Sequence, residues 1–106
     1  MQSAATIEAG MKSSQIAKEL EDAARQLDVR VRREKGSFRG GFCIRKGEEI
    51  LMLNRQHPPE IHVAVLAEAL RNLPVDSVYL RPAVRHALDE AWKANVLLEF
   101  ETEDDD

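Results

Sequence analysis

The stretch that decides the fold is residues 29–73, which read VRVRREKGSFRGGFCIRKGEEILMLNRQHPPEIHVAVLAEALRNL. Apolar and charged residues alternate over its first four positions, a two-residue period typical of a strand with one buried face. The alternation returns at 42–45, and residues 50–53 are apolar without a break, which predicts an inner strand covered on both sides. We therefore expect a three-stranded, mainly antiparallel sheet with the strand around Leu51 at its centre or beneath a helix.

Glycines and prolines mark the connections between these segments. Three glycines within residues 36–41 indicate a loop or bulged turn between two strands. Lys46-Gly47 predicts a tight hairpin turn, since glycine accepts a positive φ. Pro58-Pro59 favours a helix start, because the N–H that proline lacks has no partner within a first helical turn. An apolar stripe with spacings of three and four follows and predicts a helix that covers the sheet: Ile61, Val65, Leu66, Ala69, Leu70 and Leu73.

The flanking sequence predicts two further helices. One begins at Ser13 or Ser14, either of which can cap it, and continues to about Leu27 with one apolar face. The other begins at Pro82 and buries a stripe that includes Trp92. The predicted order is α-β-β-β-α-α, an α+β fold in a single domain at residues 13–98. We expect residues 1–12 to be flexible and residues 99–106 to be a disordered acidic tail.

The composition excludes several classes of protein. The 106 residues are 43% hydrophobic and 32% charged, as in soluble globular domains. No apolar run approaches the roughly 20 residues of a membrane span. The first ten residues lack the features of a secretory signal, so we expect a cytoplasmic location. The single cysteine, Cys43, cannot form an internal disulfide.

Charge is distributed unevenly along the chain. The formal charge is −4, but six acids and no base fall within residues 99–106, and without them the charge is +2. A dense block of like charges repels itself and does not pack. The basic residues concentrate around the predicted sheet, and we take these as the candidate macromolecule-binding residues: Arg30, Arg32, Arg33, Arg39, Arg45 and Lys46.

No group of residues in the sequence predicts catalysis, a metal or a cofactor. The histidines His57, His62 and His86 do not have a recurrent ligand spacing, and we expect them at the surface or at helix caps. Cys43 has no histidine in a partnering position, which favours a small buried apolar residue. The loop at 36–41 matches neither a P-loop nor a dinucleotide fingerprint. We therefore expect no enzymatic activity.

The strand Ile50–Asn54 followed by the helix Ile61–Asn72 resembles the core of zinc peptidases of the ImmA type. In that family, a strand ending in asparagine precedes a helix that reads Leu-Ala-His-Glu-Leu-Gly-His. Residues 66–72 here read Leu-Ala-Glu-Ala-Leu-Arg-Asn. The metal-binding histidines would fall on Glu68 and Asn72, and the general-base glutamate on Ala69, so all three chemical positions differ. The resemblance covers residues 29–73 and implies a catalytically inactive scaffold.

Three hypotheses about function follow from these patterns. The first is a small interaction module that binds another protein, with strand pairing at an exposed sheet edge also permitting a homodimer. The second is nucleic-acid binding through the basic sheet face, with the acidic tail as an intramolecular competitor and Phe38 or Phe42 stacking on bases. The third is the inactive peptidase-like scaffold.

Overall fold

The computed structural model describes residues 11–104, with side chains described for residues 11–95. Three helices and three strands follow one another as α1 Ser13–Gln26, β1 Arg30–Glu34, β2 Gly41–Arg45, β3 Glu48–Asn54, α2 Pro59–Leu70 and α3 Pro82–Asp104. A short 3-10 turn, Val75–Ser77, lies in the connection between the last two helices. The predicted α+β class and the order α-β-β-β-α-α are confirmed.

The sheet has the order β1-β3-β2, so β3 lies at its centre as its apolar sequence predicts. β2 pairs with β3 in antiparallel register, with Phe42 opposite Leu51. β1 pairs with β3 in parallel register, with Val31 opposite Leu51. The sheet is therefore mixed rather than mainly antiparallel. β1 and β2 do not pair, so the glycine-containing loop between them connects the two outer strands rather than closing a hairpin.

The hairpin between β2 and β3 turns at the predicted residues. Lys46 has φ 53° and Gly47 has φ 80°. Positive φ at both central residues is the geometry of a type I′ turn, whose twist matches that of the flanking strands. This turn aligns Arg45 with Glu48 and thereby sets the register of the whole antiparallel pair.

The hydrophobic core lies between one face of the sheet and the three helices. Its fully buried large side chains come from both layers: Leu20, Leu51, Leu53, Leu66, Leu70, Val84 and Leu88. Because alternate residues of a strand point to opposite faces, Leu51 and Leu53 place the core on the helical side. The opposite face, which we call the outer face, carries the neighbouring residues Ile50, Met52 and Asn54 of β3.

Helix α3 packs along α2 through polar contacts as well as apolar ones. The Trp92 indole Nε1 donates a hydrogen bond to the Ala67 carbonyl oxygen at 2.6 Å, and Asn95 Nδ2 donates to the Ala64 oxygen at 3.4 Å. The helix continues to Asp104 and so includes the first residues of the expected acidic tail. Disorder of residues 99–106 stays a prediction, and residues 1–10 of the expected flexible N-terminus lie outside the described residues. No described helix is long and apolar enough to cross a membrane.

Candidate functional site: the edge of the sheet at β2

The predicted basic residues divide between the two faces of the sheet. Arg30 and Arg32 lie on the outer face, because they alternate with Val31, which packs toward the core. Arg45 lies on the same outer face, opposite Glu48 in register. Arg33 lies on the helical side with Val31. Three of the four strand arginines therefore share the outer face, as the predicted basic sheet face requires. Arg33, the fourth, lies on the opposite face.

Glutamates neutralise much of the outer face. Arg30 lies 3.5 Å from a Glu48 oxygen, while Arg32 and Arg45 lie 3.2 and 3.5 Å from the two oxygens of Glu34. Exposed ion pairs of this kind contribute less than about 1 kcal/mol each, so the arginines can turn toward a phosphate. The two glutamates nevertheless lie among them and would repel a polyanion. This arrangement weakens the case for nucleic acid.

Arg33 takes part in an ionic cluster on the helical side that is built around one buried carboxylate. Glu21 of α1 is only 5% exposed, and its two carboxylate oxygens accept hydrogen bonds from Arg25 and Arg33, each at 2.6 Å. The cluster lies in a groove of about 450 Å³ between α1, β1 and the start of α2. Both carboxylate oxygens already have charged partners, so we assign Glu21 a structural role in joining α1 to β1.

Replacing Glu21 by glutamine is expected to lower the free energy of unfolding by about 2 kcal/mol, the usual contribution of hydrogen bonds to charged groups. The amide removes the negative charge and directs an N–H toward one arginine. Urea denaturation at neutral pH would measure the change. Asp22→Asn is the matched control, because the Asp22 side chain is 53% exposed and 3.8 Å from Arg25, and we expect it to change stability by less than about 0.5 kcal/mol. Equal effects of the two substitutions would contradict the structural role.

Asn54 anchors the loop that leads into β2. Its Nδ2 donates hydrogen bonds to the carbonyl oxygens of Gly36 and Phe38 at 2.7 and 2.8 Å, and its Oδ1 accepts one from the Gln56 N–H at 2.9 Å. Its own carbonyl oxygen lies 2.6 Å from Nε2 of His62. Since a carbonyl only accepts, Nε2 carries the proton, and this buried histidine ties α2 to the end of β3.

The histidines and the cysteine do not come together in a reactive group. His62 is buried, contrary to the expected surface or cap position, and a buried nitrogen of His57, Nδ1, has no hydrogen-bond partner. Cys43 is partly exposed, where we expected a buried residue. Within the described part of the chain, no three His, Cys, Asp or Glu side chains are placed to hold a metal ion.

The positions singled out by the peptidase resemblance are polar surface or helix packing positions. Glu68 is exposed and pairs with Arg71 at 3.2 Å, and Asn72 is also exposed. Ala69 is a partly buried residue packed against the core. The arrangement offers no chemistry of its own, and the inactive-scaffold interpretation stays a hypothesis.

The most distinctive surface is the free edge of β2. Among the residues that the structure describes, this strand pairs only with β3, so one row of its backbone N–H and C=O groups has no strand partner there. Phe42 and Ile44 point to the helical side, yet they are 42% and 68% exposed. Val65 of α2 approaches Gly40 at the beginning of β2, and Ile61, one turn earlier on the same helix face, is also exposed. We call Phe42, Ile44, Ile61 and Val65, with the adjacent edge of β2, the edge surface.

Sequence reasoning located Phe42 and Ile44 on one strand face but did not identify them as accessible. Alternation specifies which face a side chain occupies, and it does not specify whether a helix covers that face at the edge of the sheet. The difference in charge between the two outer strands indicates which edge is less protected. β1 reads RVRRE with four charged residues in five, whereas β2 reads GFCIR with one. Charged residues are the common protection of an exposed strand edge.

Comparisons of the chain with protein-family models, with curated proteins and with solved structures found no significant match. The interpretation of the edge surface therefore depends on the geometry and chemistry of this chain.

Proposed function

We propose that the protein is a non-enzymatic interaction module that binds an extended segment of another protein at the edge surface. The observation that carries the proposal is the exposure of Phe42 and Ile44, 42% and 68%, directly beside an unpaired strand edge. An extended peptide can add to such an edge as a fourth strand. Its backbone then pairs with β2, and its alternate side chains contact the exposed apolar residues.

The fold favours β2 over β1 as the binding edge. A one-to-one register with β3 keeps β2 free of bulges over its length, and it contains no proline. Its charged residue, Arg45, lies at its end. β1 has arginines at three of its five positions, and helix α1 contacts it from the helical side. Charges, prolines and bulges protect edges against pairing, so β2 is the less protected of the two.

Nucleic-acid binding remains the alternative that the outer-face arginines support. Arg30, Arg32 and Arg45 share one face, as such binding requires. Their ion pairs with Glu34 and Glu48 set negative charge among them, and a phosphate backbone favours a surface of one sign. At the edge surface, by contrast, exposed apolar side chains lie beside the outer edge of β2, which is the arrangement that binding of an extended peptide requires. For this reason we favour protein binding over nucleic-acid binding.

Replacing Ile44 by aspartate is expected to weaken peptide binding at least about tenfold, since the apolar contact is lost and a carboxylate would have to be desolvated. Peptides would first be selected on the intact protein from a displayed random library. Their dissociation constants would then be measured by fluorescence anisotropy for the intact and variant proteins. In addition, a bound peptide should slow amide hydrogen exchange within Gly41–Arg45.

Tyr79→Ser is the matched control for this experiment. Tyr79 is 80% exposed and lies in the connector beside α1, away from β2, so its loss should leave the dissociation constants within about twofold. Ile44 is also mostly exposed, and the aspartate should therefore not unfold the protein. If the selected peptides bound the Ile44→Asp variant as tightly as the intact protein, the edge surface would not be their site.

A further inference from the structure

We infer that the segment bound at the edge surface is acidic: an extended stretch of a partner protein in which apolar residues alternate with aspartate or glutamate. This inference rests on the proposed function and specifies the chemistry of its partner. Two features of the described surface carry it. These are the different character of the two faces at β2 and the cations at both ends of the strand.

The two faces of the sheet differ at the β2 edge. On the helical side, an added strand would meet Phe42 and Ile44, which are apolar and exposed. On the outer face it would meet Gly41, Cys43 and Arg45, of which only arginine carries a charge. Because successive side chains of the added strand point to opposite faces, one set would contact apolar atoms and the other would face a cation.

Cations lie at both ends of β2. Arg39 precedes the strand, while Arg45 and Lys46 end it, and all three are exposed. Among the described side chains, neither Arg39 nor Lys46 has a carboxylate within ion-pair distance, and Arg45 has only the partly buried Glu34, at 3.5 Å. Gly40 and Gly41 have φ 95° and 123°, so the chain turns between Arg39 and the rest of the strand. A segment paired along Gly41–Arg45 would therefore lie between a loop that carries Arg39 and a turn that carries Lys46.

Apart from Glu34, which pairs with Arg45 across the outer face, the glutamates of the sheet are set back from this edge. Glu48 and Glu49 are on β3, one strand further in, and Glu48 pairs with Arg30 on the outer face. Strands are about 4.8 Å apart, so an added strand lies next to the β2 cations and about two strand spacings from the β3 acids. The charge that a bound segment meets first is positive.

The same charges disfavour a second copy of this chain as the occupant. Antiparallel pairing of two β2 strands about Cys43 would set Lys46 of one copy opposite Gly40 of the other, next to its Arg39. Symmetry repeats this juxtaposition at both ends. Like charges facing each other across a strand pair are destabilising, whereas an acidic segment would place opposite charges there.

Three synthetic peptides of about nine residues would test the inference, with valine alternating with glutamate, lysine or serine. Their affinities for the full chain would be measured by fluorescence anisotropy at about 50 and about 200 mM salt. We expect the glutamate peptide to bind about tenfold more tightly than the lysine peptide at the lower salt concentration, from two or three exposed charge pairs. The difference should shrink at the higher concentration.

A variant that neutralises the three cations tests whether they cause the preference for the glutamate peptide. The triple substitution Arg39→Gln, Arg45→Gln and Lys46→Gln should weaken binding of the glutamate peptide about tenfold. The control triple, Lys18→Gln, Arg81→Gln and Lys93→Gln, changes the net charge equally, but Lys18 and Lys93 lie on helices and Arg81 directly precedes α3. It should leave the affinity within about twofold, because distant exposed charges are screened.

The outcomes separate this inference from the proposed function. Equal affinities for the three peptides, lost in Ile44→Asp, would overturn the acidic partner and leave binding at the edge surface intact. No binding of any peptide by the intact protein would overturn both. A concentration-dependent dimer in sedimentation, abolished by Ile44→Asp, would identify a second copy as the occupant and would also overturn the acidic partner.

Discussion

Replacing Asn54 by aspartate is expected to lower the free energy of unfolding by about 3 kcal/mol, since two carbonyl groups lose their donor and a carboxylate takes the place of a buried amide. Asn54 is 3% exposed, and its Nδ2 donates to the oxygens of Gly36 and Phe38. Aspartate keeps the shape and the acceptor for the Gln56 N–H, but it places negative charge against those two oxygens. Urea denaturation would measure the loss.

The consequence should extend to the edge surface. The Gly36–Phe38 segment leads directly into β2, so its release should accelerate amide exchange within Gly41–Arg45 more than within α3. Asn72→Asp is the control, because Asn72 is exposed and the same chemical change should alter stability by less than about 0.5 kcal/mol. A loss of less than about 1 kcal/mol in Asn54→Asp would show that the loop does not depend on these hydrogen bonds.

Leu51→Ala is expected to cost about 3 kcal/mol of stability, as is usual for a fully buried leucine. Leu51 is completely buried between the sheet and the helices. Its register partner on the same face is Phe42, which is 42% exposed. We expect Phe42→Ala to cost only about 1 kcal/mol, although it removes more atoms, because much of the ring already contacts water.

This pair of substitutions also bears on function. Thermal or urea unfolding of the two variants, measured side by side, would report how much each side chain contributes to the folded state. A small cost at Phe42 would mean that this aromatic side chain is available to a partner. If Phe42→Ala were as destabilising as Leu51→Ala, Phe42 would belong to the core, and the edge surface would lose one of its two strand contacts.

Local patterns were sufficient for the elements of this fold. The continuous apolar run at residues 50–53 predicted an inner strand at the centre of the sheet or beneath a helix, because only a strand covered on both faces can bury every residue, and β3 is the central strand. The Lys46-Gly47 turn was predictable because type I′ geometry needs positive φ. The prolines at 59 and 82 correctly marked the starts of α2 and α3.

The sequence did not predict the parallel pairing of β1 with β3. An alternating strand pairs equally well in either direction, and the choice depends on how the loop at residues 35–40 is held. Asn54, eighteen residues from Gly36, holds that loop across the end of β3. A contact between such distant residues has no local signature. This contact holds the loop that connects β1 and β2 at opposite edges of the mixed sheet.

At the candidate site, too, some features follow from the local sequence and others from the tertiary structure. Alternation determined that Phe42 and Ile44 share a face and that Cys43 points to the other, because side chains in a strand have a period of two. The sequence by itself thus determined the elements and their faces, and it left β3 either at the centre of the sheet or beneath a helix. Only the tertiary structure decided that β3 lies between β1 and β2, that β2 is an edge strand whose apolar face extends beyond the helices, and that Arg33 pairs with Glu21. The physical reason is that exposure and ion pairing depend on which elements meet in space, whereas the period of a strand or helix is a property of the local chain.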